Sequence, residues 1–397
     1  MITIDDKSNC CGCSSCFNIC PTHAISMQVD YEGFKYPKVD VNKCIGCGLC
    51  EKKCPIKNSI HSNDNFSRRG AIARVINDDI LNLCSSGGMF YPIALAIINR
   101  GGYVCGATYN SKLDVIHETT NELNKLKGYI GSKYVQSDLG NQYKLIKELL
   151  DKDKPLVFFG TACQVYGLKI FLGKDYENLF TVDLVCHGTP SPNLWRAYLE
   201  YQEKLYKSNI RKVNFRSKKY GYHVASLSID FENGKQYVAS ARTDFMLRSF
   251  FNEIASRPSC YKCGFKKVER VSDLTVYDAW HAEKICGSIA DDDRGYTNLI
   301  IQSRKGEKLL EMVKEQIDFR NVDLEKAIQL DGIMITQSAK PHYNRDDFYN
   351  VLNTKGIEQT IRKFIPINIR DRMIENFKRI FYRFGILNQI RKRIKNR

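Results

Sequence analysis

Eight cysteines within the first sixty residues constrain this chain more than any other feature. Cys10, Cys13, Cys16 and Cys20-Pro21 read C-x2-C-x2-C-x3-C-P, and Cys44, Cys47, Cys50 and Cys54-Pro55 repeat the pattern. The x2 gaps let three thiolates of one loop reach three irons of a cube. The x3 step starts a helical turn that carries its thiolate away, toward a second cube. The spacing therefore predicts two [4Fe-4S] clusters in an α+β ferredoxin-like module over residues 1–60. One would be held by Cys10, Cys13, Cys16 and Cys54, the other by Cys20, Cys44, Cys47 and Cys50. Gly12, Gly46 and Gly48 suit loops whose N–H groups must turn toward cluster sulfurs. Zinc ribbons also use C-x2-C pairs, but two matched runs, each closed by Cys-Pro, favour cubanes. Cys11 has no place in the pattern and is read as a bystander. The C-x3-C-x2-C run of radical SAM enzymes fails at His23.

The compartment follows from cysteine usage. Residues Met1–Asp6 show no basic stretch followed by an apolar run, and the longest apolar run, Tyr91–Ile98, is far short of a bilayer span. A cytoplasmic protein is expected, whose sixteen cysteines serve metal or redox chemistry rather than disulfides. The net charge of +16 would suggest nucleic acid if it were spread over the chain. It is not: from Ile361 onward twelve Lys/Arg face only Asp371 and Glu375, a balance of +10. With no basic surface signal or recognised motif in the body, no nucleic-acid partner is expected.

Behind a Ser, Asn and Asp-rich linker (Ser59–Ser67) the sequence turns to alternating strands and helices. Ala71–Ile76, Tyr103–Tyr109, Leu156–Phe159 and Phe180–Val185 read as strands. Met89–Asn99, the segment to Phe171 and Ser191–Leu205 read as helices. This order predicts an α/β body with a largely parallel sheet, its first part spanning residues 70–206. Residues 207–345 continue it with an antiparallel insertion, Val213–Arg216, Ala225–Phe231 and Gln236–Ala239, turning at Asn233-Gly234. No G-x-G-x-x-G or Walker A motif is present. The turn Ser85-Ser86-Gly87-Gly88 would either seat a phosphate at a helix start or simply cap that helix. Lys127 and Lys133, around Tyr134, read on their own as a solvated face. Cys163 and Cys186 each follow a strand end, and Cys260 and Cys263 form a further C-x2-C pair. The residues alone leave two readings open: a third cluster, or buried small side chains with a pair that binds zinc or nothing.

The body motifs resemble the beta-subunit family of deazaflavin (coenzyme F420) hydrogenases and dehydrogenases. The matching phrases are Ser85–Gly88, Ser132-Lys133-Tyr134-Val135-Gln136-Ser137, Phe159-Gly160-Thr161-Ala162-Cys163-Gln164 and Asp183–Gly188. Ser191-Pro192, Phe215-Arg216, Arg257–Cys263 and Ser272–Trp280 follow in the family's order, covering roughly residues 1–305. The resemblance implies FAD in the body, with Ser85, Ser86, Gly87, Gly88, Lys133, Tyr134 and Ser137 contributing to its site. It also implies a third [4Fe-4S] cluster on Cys163, Cys186, Cys260 and Cys263. Flavin exchanges two electrons with organic molecules and single electrons with clusters, so it joins the two kinds of chemistry. The implied function is an iron–sulfur flavoprotein oxidoreductase. It would work between a low-potential electron donor or acceptor protein and an unidentified organic substrate. A non-catalytic electron-transfer subunit is the alternative. The family usually has Pro at Ala162 and Gly at Tyr277 and His281, so use of the deazaflavin itself is not assumed.

The tail, residues 360–397, reads as a basic amphipathic helix. Ile369, Met373, Phe377, Ile380, Phe381 and Phe384 fall at helical spacing among Arg370, Arg372, Lys378, Arg379 and Arg383. Gly385 interrupts, and Arg391-Lys392-Arg393-Ile394-Lys395 follows. Such a helix suits an anionic membrane surface or a partner, and would make the protein peripheral on the inner face of the membrane. The alternative is a stripe packed on its own domain.

Overall fold

The computed structural model describes residues 1–59, 66–224, 226–384 and 387. Most of the linker and the basic run from Arg391 lie outside the described residues. In the module, strands β1 (Ile25–Val29) and β2 (Lys35–Val39) form an antiparallel pair. The short helices Ser15–Ile19 and Leu49–Lys52 start at left-handed residues, Ser14 (φ 60°) and Gly48 (φ 70°).

The body is built on an eight-stranded sheet in the order β13-β3-β12-β11-β7-β6-β4-β5. Its members are β3 (Arg69–Val75), β4 (Tyr103–Tyr109), β5 (Val115–Thr120), β6 (Leu156–Thr161) and β7 (Leu179–Leu184). The rest are β11 (Leu274–Ala279), β12 (Tyr296–Ile301) and β13 (Ile317–Val322). The expected largely parallel sheet is corrected to a mixed one. Only β4/β6, β6/β7 and β7/β11 pair in parallel; β4/β5, β11/β12, β12/β3 and β3/β13 are antiparallel. Strand–helix alternation signals crossovers near β4, β6 and β7. It carries no information about β3, the first strand of the body in the chain, which lies between β12 and β13. The expected insertion forms its own antiparallel sheet of β8 (Ile210–Ser217), β9 (Ser226–Phe231) and β10 (Gln236–Ser240). Val213, Phe215, Leu227 and Ile229 of this sheet pack with Leu194, Trp195 and Tyr198 of the helix Pro192–Tyr206.

The module is docked into the body, not tethered beside it. Phe34, in the β1–β2 hairpin, is fully buried in the same core as Trp195 and Tyr349. Gly33 turns with φ +93°, and a Cβ there would meet Asn193 at 2.5 Å, so glycine is required twice over. Glu32 is buried and accepts two bonds from the Arg345 guanidinium, at 2.8 and 2.6 Å. Arg345 opens the long helix Arg345–Phe364 and also donates to the Ser256 carbonyl. The next residue, Arg257, donates to the carbonyls of Cys10 (2.7 Å) and Lys35 (2.9 Å), both in the module. Removing one partner of a buried ion pair strands the other charge away from water, at a cost of about 3–5 kcal/mol. Glu32→Ala is therefore expected to lower unfolding stability by that order, measured as a shift in urea midpoint. Replacing both residues, Glu32→Gln with Arg345→Met, is expected to cost less than the single change.

Candidate functional site

Two cavities open in the module. One is lined by Cys10, Cys13, Cys16 and Cys54 with Ile2, Ile4 and Met27. The other is lined by Cys20, Cys44, Cys47 and Cys50 with Ile25 and Val39. Each joins the first three pattern cysteines of one run to the fourth of the other run, and Cys11 also lines the first cavity. Among the described residues no three His, Cys, Asp or Glu could hold a single metal ion. Thiolates that serve a cube have a different task, since they bond to irons at its separate corners. Burial pushes the Cys16 thiol up to about 12, and the neighbouring thiols of Cys10 and Cys54 add to it. Bare thiolates are unfavourable in such a place, whereas iron stabilises them. The residues present fit clusters of the ferredoxin type.

In the body, the parallel register of β6 and β7 sets Thr161 opposite Leu184. Cys163 and Cys186, two residues beyond each, therefore leave the same sheet edge side by side. Thr161 and Gln164 close a capping box at the start of the helix Ala162–Leu172, which fixes Cys163 in the first turn. Cys260 lies in the turn Pro258–Lys262, 3.6 Å from the Thr189 hydroxyl just past Cys186. Burial raises the Cys186 thiol, and Cys260, Cys163 and Cys263 reinforce the shift. The four thiols sense one another, so three separated segments bring them to one place. Lys266 adds a positive charge there, its ammonium 2.6 Å from the Cys186 carbonyl oxygen.

Cys11 is the residue that sequence reasoning missed. It lines the first cavity, and its thiol is raised by the neighbouring Cys13 of the module and by burial, with Cys163 of the body acting in the opposite sense. Gln136 holds its carbonyl at 3.1 Å. The docking is close here: a Cβ on Gly167 would meet the Cys13 side chain at 2.8 Å. The doubled Cys10-Cys11 was the only signal, and it carries no geometry. Cys84, Cys105 and Cys286 lie away from these groups in apolar packing.

A second centre forms where four distant segments meet. The Ser85 hydroxyl accepts bonds from the N–H (2.8 Å) and hydroxyl (3.0 Å) of Ser132. Lys218 donates to the carbonyls of Ser86 and Leu81, both at 2.8 Å. Buried Arg216 donates to the Tyr134 hydroxyl (3.2 Å) and to Asp278 (2.9 Å), 4.7 Å from the Trp280 ring centre. Its second terminal nitrogen is buried with no partner among the described residues. Lys133 donates to the carbonyls of Tyr129 and Gly131, which leaves one of its three donors. Burial lowers Lys133 to about 7, and burial likewise lowers Lys218 to about 8. Arg216, against the rings of Tyr222 and Trp280, and Lys218 fit an anionic, ring-bearing cofactor, while the Lys133 ammonium lies 5.4 Å from the Tyr109 ring centre.

Not every expected residue points there. Gly87 donates its N–H to Thr297 at 2.9 Å, and a Cβ on it would strike the Ala73 carbonyl at 2.4 Å. Its smallness serves packing on β3 and β12, so that N–H is taken. Ser137 accepts from Gln164 on the thiol side of the body. Tyr277, where the family has Gly, takes its ring into the core with Ile300 and Ile335, on the strand face opposite Asp278. His281 is bonded to Asp331 at 2.7 Å.

Residues 153–326 match the family model that describes the C terminus of the coenzyme F420 hydrogenase/dehydrogenase beta subunit. Residues 9–58 match that of the 4Fe-4S dicluster domain. The chain carries, in order, a segment similar to the 4Fe-4S dicluster domain and one similar to the C terminus of the F420 hydrogenase/dehydrogenase beta subunit. The coenzyme F420-dependent sulfite reductase of Methanocaldococcus jannaschii is 24% identical over 343 residues, 82% of this chain and 49% of that protein. The chain thus spans about half the length of that relative. The ferredoxin-type protein NapF of Haemophilus influenzae is 38% identical over 52 residues, 13% of this chain and 29% of that one. The F420-reducing [NiFe] hydrogenase complex from Methanosarcina barkeri aligns at a TM-score of 0.42 with 13% identity, covering 78% of this chain and 97% of that chain. The matched family models describe a 4Fe-4S domain and a family associated with oxidoreductases. The matched family is described by F420, not FAD, so the FAD expected from resemblance enters below only as a proposal.

Cys260→Ser with Cys263→Ser is expected to remove about four of about twelve irons from anaerobically reconstituted protein. The electron paramagnetic resonance of the two module clusters should persist. Unchanged iron would return the four body thiols to ordinary packing.

Proposed function

We infer that this chain is an oxidoreductase in which electrons pass between the module and a two-electron carrier in the body. The observation that carries this reading is the close packing of the module on the body's thiol segments: a Cβ on Gly167 would meet the Cys13 side chain at 2.8 Å, and the Arg257 guanidinium lies 3.5 Å from the Cys10 sulfur. Through this packing the first cysteine run of the module lies beside the body segments that carry Cys163 and Cys260. Cys163, Cys186, Cys260 and Cys263 would hold the intermediate cluster. Arg216, Lys218, Lys133 and the Ser85–Ser132 pair would hold the carrier, with Trp280 and Tyr222 against its rings. Bound flavin supplies the exchange between two-electron and one-electron chemistry. FAD is our candidate for the resident group. Coenzyme F420, named in the matched family and in the sulfite reductase, is the first candidate for the organic reactant.

The chain's own residues have definite tasks here. Arg216, oriented by Asp278 and Tyr134, presents its free nitrogen as a fixed donor. The lysines neutralise an anion in a place where water is scarce, which makes each charge count for more. Lys266 and Arg257 supply positive charge beside the thiols, which favours the reduced state of nearby iron.

The test is an anaerobic preparation of the full chain, assayed for iron, sulfide and flavin, then mixed with F420 or with artificial acceptors. Turnover of F420 without a second subunit supports the enzyme reading. A preparation with iron and flavin but no turnover would make the chain an electron-transfer subunit. Absence of any flavin or deazaflavin binding would sink the carrier site.

Two predictions follow from the geometry. Cys11→Ala should leave the iron content at about twelve per chain, because the C-x2-C-x2-C-x3-C-P pattern is complete without it; loss of about four irons would make it a ligand. Lys133 gives a pH signature. Free of ligand, it loses its proton as pH rises through about 7. A bound anion holds that proton in place, so binding takes up protons above this pH and affinity falls as pH rises. Calorimetry of the anionic carrier in two buffers of different ionisation enthalpy measures the uptake, and Lys133→Met should abolish it.

A further inference from the structure

The helix Ile369–Arg383 sits on the body with its faces reversed. A surface helix ordinarily turns its apolar stripe to the core and its charges to water. Here the inward face is polar. Glu375 is 1% exposed and accepts from the Ser240 N–H (3.1 Å), the Ser240 hydroxyl (2.6 Å) and Lys378 (3.1 Å). Asp371 pairs with Arg242 at 3.3 Å, and Arg379 donates to the Val238 carbonyl at 3.0 Å. Phe381 alone of the apolar series reaches inward, toward Tyr220 and Val238.

The stripe is left outside. Ile369 is 78% exposed, Phe377 50% and Phe384 74%, with Met373 and Ile380 between them. At 100° per residue these five occupy an arc of about 80°. Arg370 borders the arc on one side, and Arg372, Arg383 and Arg379 border it on the other. Because Glu375 and Asp371 are held by the body, the helix cannot roll to hide its stripe without breaking those bonds. Both of its acids are engaged, so the outward face carries only positive charge. The residues from Ile361 onward have a balance of +10.

We propose that this face is a docking surface for an anionic lipid bilayer. Apolar side chains in a narrow arc enter the headgroup boundary, and arginines on both borders reach up to lipid phosphates. A protein groove would match the stripe but offers no reason for cations on both flanks; a sheet of phosphates does. Among the described residues no helix is long and apolar enough to cross a membrane, so the chain would lie on the surface.

The experiment uses the full-length, cluster-loaded protein. It should sediment with vesicles of phosphatidylglycerol and phosphatidylcholine at low salt, and at least ten-fold less with phosphatidylcholine alone. Raising ionic strength from about 0.05 to 0.5 M should weaken retention. Phe377→Ser with Ile380→Ser should lower vesicle affinity about ten-fold or more. Arg370→Glu with Arg372→Glu should do the same and flatten the salt dependence. All four side chains are exposed, so iron content and melting temperature should stay at the parent values, which excludes misfolding as the cause. Failure to bind anionic vesicles at low salt, equal binding to neutral vesicles, or variants that bind like the parent would each overturn the proposal. A solution dimer broken by Phe377→Ser with Ile380→Ser, without vesicle binding, would assign the face to a second copy instead.

Discussion

Two buried arginines, Arg257 and Arg345, hold the module and the body as one piece. Neither is a favourable place for a charge in itself. Taking a guanidinium out of water costs several kcal/mol, and only a full set of acceptors offsets it. Arg345 finds the Glu32 carboxylate and the Ser256 carbonyl; Arg257 finds the Cys10 and Lys35 carbonyls and Gln136. The acceptors come from both parts of the chain, so the two charges are satisfied only when the parts are assembled. Arg257 also lies 4.1 Å from the Tyr36 ring centre and 3.5 Å from the Cys10 sulfur. The clamp and the iron-binding loop are therefore one construction.

A single extended segment, residues 132–138, then ties every functional region together. Ser132 bonds the Ser85 turn, Tyr134 meets Arg216, and Gln136 meets both Cys11 and Arg257. Ser137 accepts from Gln164 beside Cys163, and Asp138 pairs with Lys35 of the module. Seven residues of extended chain span roughly 25 Å at most. The carrier site, the body thiols and the module are all attached within that length.

The sequence made the chemistry more legible than the architecture. Cysteine spacing is a local property, and the crossed grouping of the module runs can be read from x2 and x3 steps alone. Tyr103–Tyr109 and the turn at Asn233-Gly234 were equally local and appear where periodicity put them. Sheet order was not legible, because β3 pairs with strands more than two hundred residues away and nothing in Arg69–Val75 says so. Arg216 appeared only as part of a family phrase, since an arginine in a strand gives no sign of being buried. Gly87 misled for the opposite reason: a glycine kept for packing and one kept for phosphate look alike until the neighbouring backbone is seen. Cys11 was visible but mute, its importance lying in a contact across the docked surface.

The docking of the module has a consequence for how such a protein would work in a cell. A free ferredoxin must collide with its enzyme, so its delivery rate depends on how many copies are present. Here the carrier of single electrons is covalently attached and held in register by Phe34, Glu32 and Arg257. Transfer between module and body, as proposed, would therefore be a first-order event, indifferent to dilution, much as a tethered ligand acts at a fixed effective concentration. What would be left to diffusion is the meeting with an outside electron partner, for which the exposed Cys47 loop is the open side of the module, and the meeting with the organic reactant.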